Sequence, residues 1–193
     1  MLTPLPEVVK DFSDVPPTHW AYDYTVKVAA YGLMKGYNDD TFKPNNHLTR
    51  VQMTSILSRG LQLQSTVNAP FTDLVAYDVE TQREVAAAYE AGIVKGVGTL
   101  FNPSGNVTRA QVAVMMHRAY EHLTGETYEP QVIAPFTDIS AYDDETQQAI
   151  TFLYDSKIAT GVSAEKFNPA GNVTRAQAAK IIVNFYESVV VAN

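Results

Sequence analysis

The sequence predicts an all-α fold in which three helix-loop-helix repeats close into a pseudo-threefold trimer within one chain. Three recurring anchors carry that expectation. Phe12-Ser13-Asp14 returns as Phe71-Thr72-Asp73 and Phe136-Thr137-Asp138. Phe42-Lys43-Pro44 returns as Phe101-Asn102-Pro103 and Phe167-Asn168-Pro169. Thr49-Arg50-Val51-Gln52 returns as Thr108-Arg109-Ala110-Gln111 and Thr174-Arg175-Ala176-Gln177. Anchors kept in one order mark a repeat architecture, whose units bury their apolar faces only by stacking on one another. The repeats span 11–63, 71–123 and 136–187 of a single module covering 1–193. No polar capping repeat is evident, which favours closure over an open solenoid.

Each unit opens with a helix, expected over 18–31, 78–91 and 143–156. The helix ends at Gly32, Gly92 and Lys157. Glycine supplies a left-handed cap at low steric cost, so Lys157 predicts a different turn in the third unit. An apolar pair follows (Leu33-Met34, Ile93-Val94, Ile158-Ala159), then a second glycine at Gly36, Gly96 or Gly161. The second helix starts at the Thr-Arg-x-Gln element, where threonine and glutamine have the spacing of a capping box. Behind it, Met53/Ile56/Leu57, Val112/Met115/Met116 and Ala178/Ile181/Ile182 form one buried stripe, continued by Leu61, Tyr120 and Tyr186. Segments 64–70 and 124–135 read as connectors.

The composition fits a packed body. With 46% hydrophobic and 18% charged residues, the chain is too apolar for a disordered acidic tail. A formal charge of −7 argues against a general nucleic-acid binder, which relies on clustered lysine and arginine. No cysteine is present, so disulfides and thiolate metal sites are excluded. No apolar run has the length of a membrane span. The start MLTPLPEVVKDF lacks the basic and apolar regions of a secretory signal.

The most informative residue is the arginine at the first helical position. Helix N-termini carry partial positive charge and free N–H groups, so cations are disfavoured there. Arg50, Arg109 and Arg175 occupy that position all the same, with Gln52, Gln111 and Gln177 rather than glutamate closing the cap of Thr49, Thr108 and Thr174. A guanidinium beside free amides suits a carboxylate or phosphate. The other reading pairs each arginine internally with Asp14, Asp73 or Asp138. The residues leave both open.

Taken together, Phe12-Ser-Asp-Val15, His19-Trp-Ala21, Gly32 to Gly36-Tyr37, Phe42-Lys-Pro44 and Leu48-Thr-Arg50 resemble the surface-layer homology (SLH) repeat. The resemblance covers residues 11–187 in three copies. It implies a three-pronged pseudo-trimer, a monomeric part of a larger extracellular protein, that anchors its parent to the bacterial cell wall. It also implies an acidic partner, a secondary cell-wall polysaccharide bearing pyruvate ketals such as pyruvylated N-acetylmannosamine, held in grooves between repeats. The carboxylate would fall to Arg50, Arg109 and Arg175. This chain departs from the family in its glutamines and in having a single tryptophan, Trp20, with Glu80 and Glu145 at the same register. Trp20 is a candidate to line a groove or to pack in the core. Lys35 and Lys95 are candidate second cations, and Thr160 stands in their place in the third unit, where a site is lost or altered.

Other chemistries find little support. His117 and Glu121 share a helix face without a metal-binding HExxH pattern, and Asn38-Asp39-Asp40 lacks the spacing of a calcium loop, so neither a metal nor a cofactor is expected. Carboxylates are numerous, but no pair has an interpretable catalytic spacing. The expectation is a non-enzymatic module. Its rivals are a protein-interaction or peptidoglycan-binding module with the arginines in internal salt bridges, and an enzyme acting on wall glycan.

Overall fold

The computed structural model describes residues 10–190. Six α-helices carry the fold: α1 (Tyr22–Ala30), α2 (Arg50–Gly60), α3 (Val79–Glu90), α4 (Arg109–Thr124), α5 (Asp144–Asp155) and α6 (Arg175–Phe185). Among the described residues extended backbone pairs only in isolated bridges, with no ladder.

Those bridges close the body. Leu48 N–H donates to Val173 O, Val173 N–H to Val107 O, and Val107 N–H to Leu48 O, at 2.9–3.0 Å. These three residues precede the three capping threonines, and all are fully buried. The arginine amides two residues on run a second cycle in the opposite sense, with Arg50 N–H on Gly105 O, Arg109 N–H on Gly171 O and Arg175 N–H on Asn46 O. Amides near a helix start have no partner inside the helix. Here the neighbouring repeat supplies one.

Helices pair most closely across repeats: α3 packs on α2, α5 on α4 and α1 on α6. The stripes expected to be buried lie in one continuous core, with Met53, Val112, Met116 and Ala178 wholly inside. All three capping boxes form, threonine Oγ1 accepting from the glutamine amide and glutamine Oε1 accepting from the threonine amide.

The first anchor folds the loop of its own repeat. Asp14 accepts from the amides of Phe42 and Lys43, Asp73 from Phe101 and Asn102, and Asp138 from Phe167 and Asn168. Burial pushes the Asp138 carboxyl upward, but these two amides outweigh it and hold the group below its usual range. The second glycine meets the same phenylalanine. A Cβ on Gly36 would lie 2.2 Å from the Phe12 ring and 2.9 Å from Thr41 O, so no larger residue fits without movement.

Two expectations are corrected. Lys157 turns as its glycine counterparts do: its φ is +60°, against +71° at Gly32, and its amide bonds to Tyr154 O as Gly32 N–H bonds to Ala29 O. The packed loop imposes the turn on a residue that disfavours it. Helix α1 starts at Tyr22, four residues later than expected, whereas α3 and α5 start within a residue of expectation. Asp78 and Asp143 cap α3 and α5 by accepting from Thr81 and Thr146. Thr18 stands at that register after Pro16-Pro17 and makes no such bond, and His19 Nδ1 accepts from Ala21 N–H instead.

Candidate functional site

The same groove is built twice. The first, about 430 Å³, lies between α2 and α3, with Lys35, Thr49, Gln52, Arg59, Tyr77, Glu84 and Arg175 along it. The second, about 610 Å³, lies between α4 and α5 and has Lys95, Thr108, Gln111, Arg118, Tyr142 and Arg50 at the corresponding places, with Glu145 as its glutamate one turn earlier on the helix than Glu84. Each groove is thus walled by two repeats and receives an arginine from the remaining one. The third copy of these positions, between α6 and α1, carries Thr160, Thr174, Gln177, Asn184 and Arg109, with Trp20 where α3 and α5 carry Glu80 and Glu145.

The arginines reach across because of the capping threonines, which start each helix at the central ring. Arg175 donates from Nε to Phe42 O at 2.7 Å and from Nη2 to Lys35 O at 2.9 Å, and its guanidinium lies 4.6 Å from the Phe42 ring centroid. Arg109 does the same with Phe167 O, Thr160 O and the Phe167 ring. Arg50 keeps the Phe101 ring and one bond, to Lys95 O. Burial lowers the pKa of all three, aided at Arg50 by the charge of Arg118, and each remains cationic.

Internal salt bridges to Asp14, Asp73 and Asp138 therefore do not form; those carboxylates hold backbone amides of their own repeat. The internal partners are carbonyl oxygens and an aromatic ring of the next repeat. No fully buried side-chain nitrogen among the described residues lacks a partner, so the remaining Nη1 of Arg109 and Arg175, which makes no bond of its own, is not sealed off from solvent. Each guanidinium can clamp a neighbour and still present a charged donor.

The structure brings together Lys35, Arg175, Thr49 and Gln52 in the first groove, and Lys95, Arg50, Thr108 and Gln111 in the second. Trp20 lies outside both and is 57% exposed, stacked on His19 at 5.7 Å, which removes it from the core. Arg59 and Arg118 also line the grooves and escaped the sequence reading. Arg59 pairs with Glu84 at 2.8 Å, and Arg118 with Glu145 at 2.6 Å. Their signal was present: both fall at one register behind the Thr-Arg-x-Gln element.

A family model for the S-layer homology domain matches residues 11–54, 70–113 and 135–179. The chain belongs to the S-layer homology domain family. Its SLH repeats are similar to part of an endoglucanase of Bacillus sp. (strain KSM-635), 37% identical over 89% of this chain and 18% of that protein. An amylopullulanase of Thermoanaerobacterium thermosulfurigenes is 31% identical over 94% of the chain and 10% of its own length. An S-layer protein of Bacillus thuringiensis subsp. finitimus is 28% identical over 94% of the chain and 22% of its own length. The chain thus spans about a fifth or less of these relatives. SLH domains anchor surface proteins to the cell wall by binding wall components, which places this one at the cell surface or in the wall. No helix among the described residues is long and apolar enough to cross a membrane.

Proposed function

We propose that this SLH module is a non-catalytic, monomeric anchor that holds a larger surface protein by binding an acidic wall polysaccharide in its inter-repeat grooves. The pyruvyl ketal of N-acetylmannosamine is the proposed acidic group. Arg50, Arg109 and Arg175 meet the carboxylate, assisted by Lys35 and Lys95, while Trp20 offers a ring face to a sugar. The observation that carries this reading is the repeated groove, which ends on a guanidinium whose outer nitrogen is uncommitted. Such a planar donor, beside a lysine, matches a carboxylate on an otherwise uncharged sugar. Several sites along one polymer also raise retention through effective concentration.

Co-sedimentation with purified cell walls tests it. The module pellets with glycan-bearing walls and stays in solution when the polysaccharide has been stripped. Undiminished pelleting with stripped walls overturns the proposal in favour of peptidoglycan or a protein partner.

A further inference from the structure

The two grooves share a frame but differ in where their carboxylates sit. Facing Arg59, helix α3 offers Glu80 and Glu84, one turn apart. Arg59 takes Glu84, which is only 12% exposed, and Lys35 makes no ion pair among the described residues. Facing Arg118, helix α5 offers Glu145 alone, because Ala149 stands at the register of Glu84. Arg118 Nε and Nη2 both lie 2.6 Å from Glu145 Oε1, and Lys95 Nζ lies 4.0 Å from the same oxygen. That carboxylate draws on both outer cations of the second groove. The first groove sets Lys35, Arg59 and Arg175 against Glu84 alone. The second sets Arg50, Lys95 and Arg118 against Glu145 and Asp143.

We infer that the groove between repeats 1 and 2 is the principal site for the acidic glycan, and that Glu145 is a built-in competitor in the groove between repeats 2 and 3. This rests on the groove-binding function proposed above and specifies which groove carries it. In the first groove a ligand carboxylate finds Lys35 outside any ion pair among the described residues, and Arg175 held by carbonyl oxygens rather than by a carboxylate. In the second it must displace Glu145 from Lys95 and Arg118. With alanine in place of a glutamate at the Glu84 register, the ion pair of Arg118 falls to Glu145 and becomes a mask over the site.

The test is a site-resolved NMR titration of the module with pyruvylated N-acetylmannosamine, with uncharged N-acetylmannosamine as control. The amides of Lys35 and Gly36 report the first groove, and those of Lys95 and Gly96 the second. The first pair saturates at a sugar concentration at least about fivefold lower, the equilibrium equivalent of freeing a partly exposed ion pair. Glu145→Gln closes that gap by tightening the second groove, and Lys35→Ala closes it by weakening the first. Equal saturation in the unmodified chain, or a gap that survives Glu145→Gln, overturns the inference while leaving groove binding intact. Absence of any shift at both loops overturns the groove-binding reading itself.

Discussion

Replacing Arg175 by alanine removes a clamp between the third repeat and the first. Arg175 is 7% exposed and its guanidinium serves Phe42 O and Lys35 O, neither of which has another donor among the described residues. A hydrogen bond from a charged group contributes about 1.5–3 kcal/mol, and a guanidinium over a ring about 0.5–2 kcal/mol more. Water reaches part of the vacated space, so the expected loss is about 3–4 kcal/mol, a large share of the 5–15 kcal/mol typical of a folded domain. Arg109→Ala has the same geometry and the same expected loss. Arg50→Ala removes one such bond from a half-buried side chain, and about 1–2 kcal/mol is expected. Urea unfolding of the three variants, followed by circular dichroism, gives the order Arg175 ≈ Arg109 > Arg50. An unchanged midpoint for Arg175→Ala, with wall binding abolished, would refute the clamp and leave the arginine as a ligand group only.

Two further outcomes follow from the backbone and from burial. Lys157→Gly relieves a left-handed lysine, with an expected gain of about 1 kcal/mol and a rise in Tm of about 2–4 °C by calorimetry; no gain would mean the turn costs lysine nothing. His117 packs on Phe152, and burial lowers its pKa against the opposing charges of Glu121 and Glu145. The unfolded chain therefore binds this proton more readily, so stability is full above about pH 6.5 and declines as the pH falls below it. Unfolding midpoints measured between pH 7.5 and 5 should flatten in His117→Leu, and parallel curves for the two proteins would remove His117 as the cause.

The parts of this fold legible in the sequence are those decided locally. A capping box is written in four residues, so Thr49, Thr108 and Thr174 start their helices where expected. The stripes behind them are equally local, being set by helical period. The arginine partners were not legible, because Phe42 O and Lys35 O belong to another repeat and backbone carbonyls carry no side-chain signature. Nor was the turn at Lys157, where tertiary packing overrides a residue preference. The mask at Glu145 was hidden for a third reason. It depends on Ala149, on what is missing one turn away, and comparison of α3 with α5 is needed to see it.

The pairing of helices across repeats also bears on how the module carries load. Helix α1 closes the circle against α6, and just beyond the end of α6 Glu187 takes Lys27 at 2.8 Å and accepts from Tyr31 Oη. A ring of this kind has no first member. Tension between the wall and the anchored protein meets no free-standing repeat to peel away, because each unit is stapled to two others.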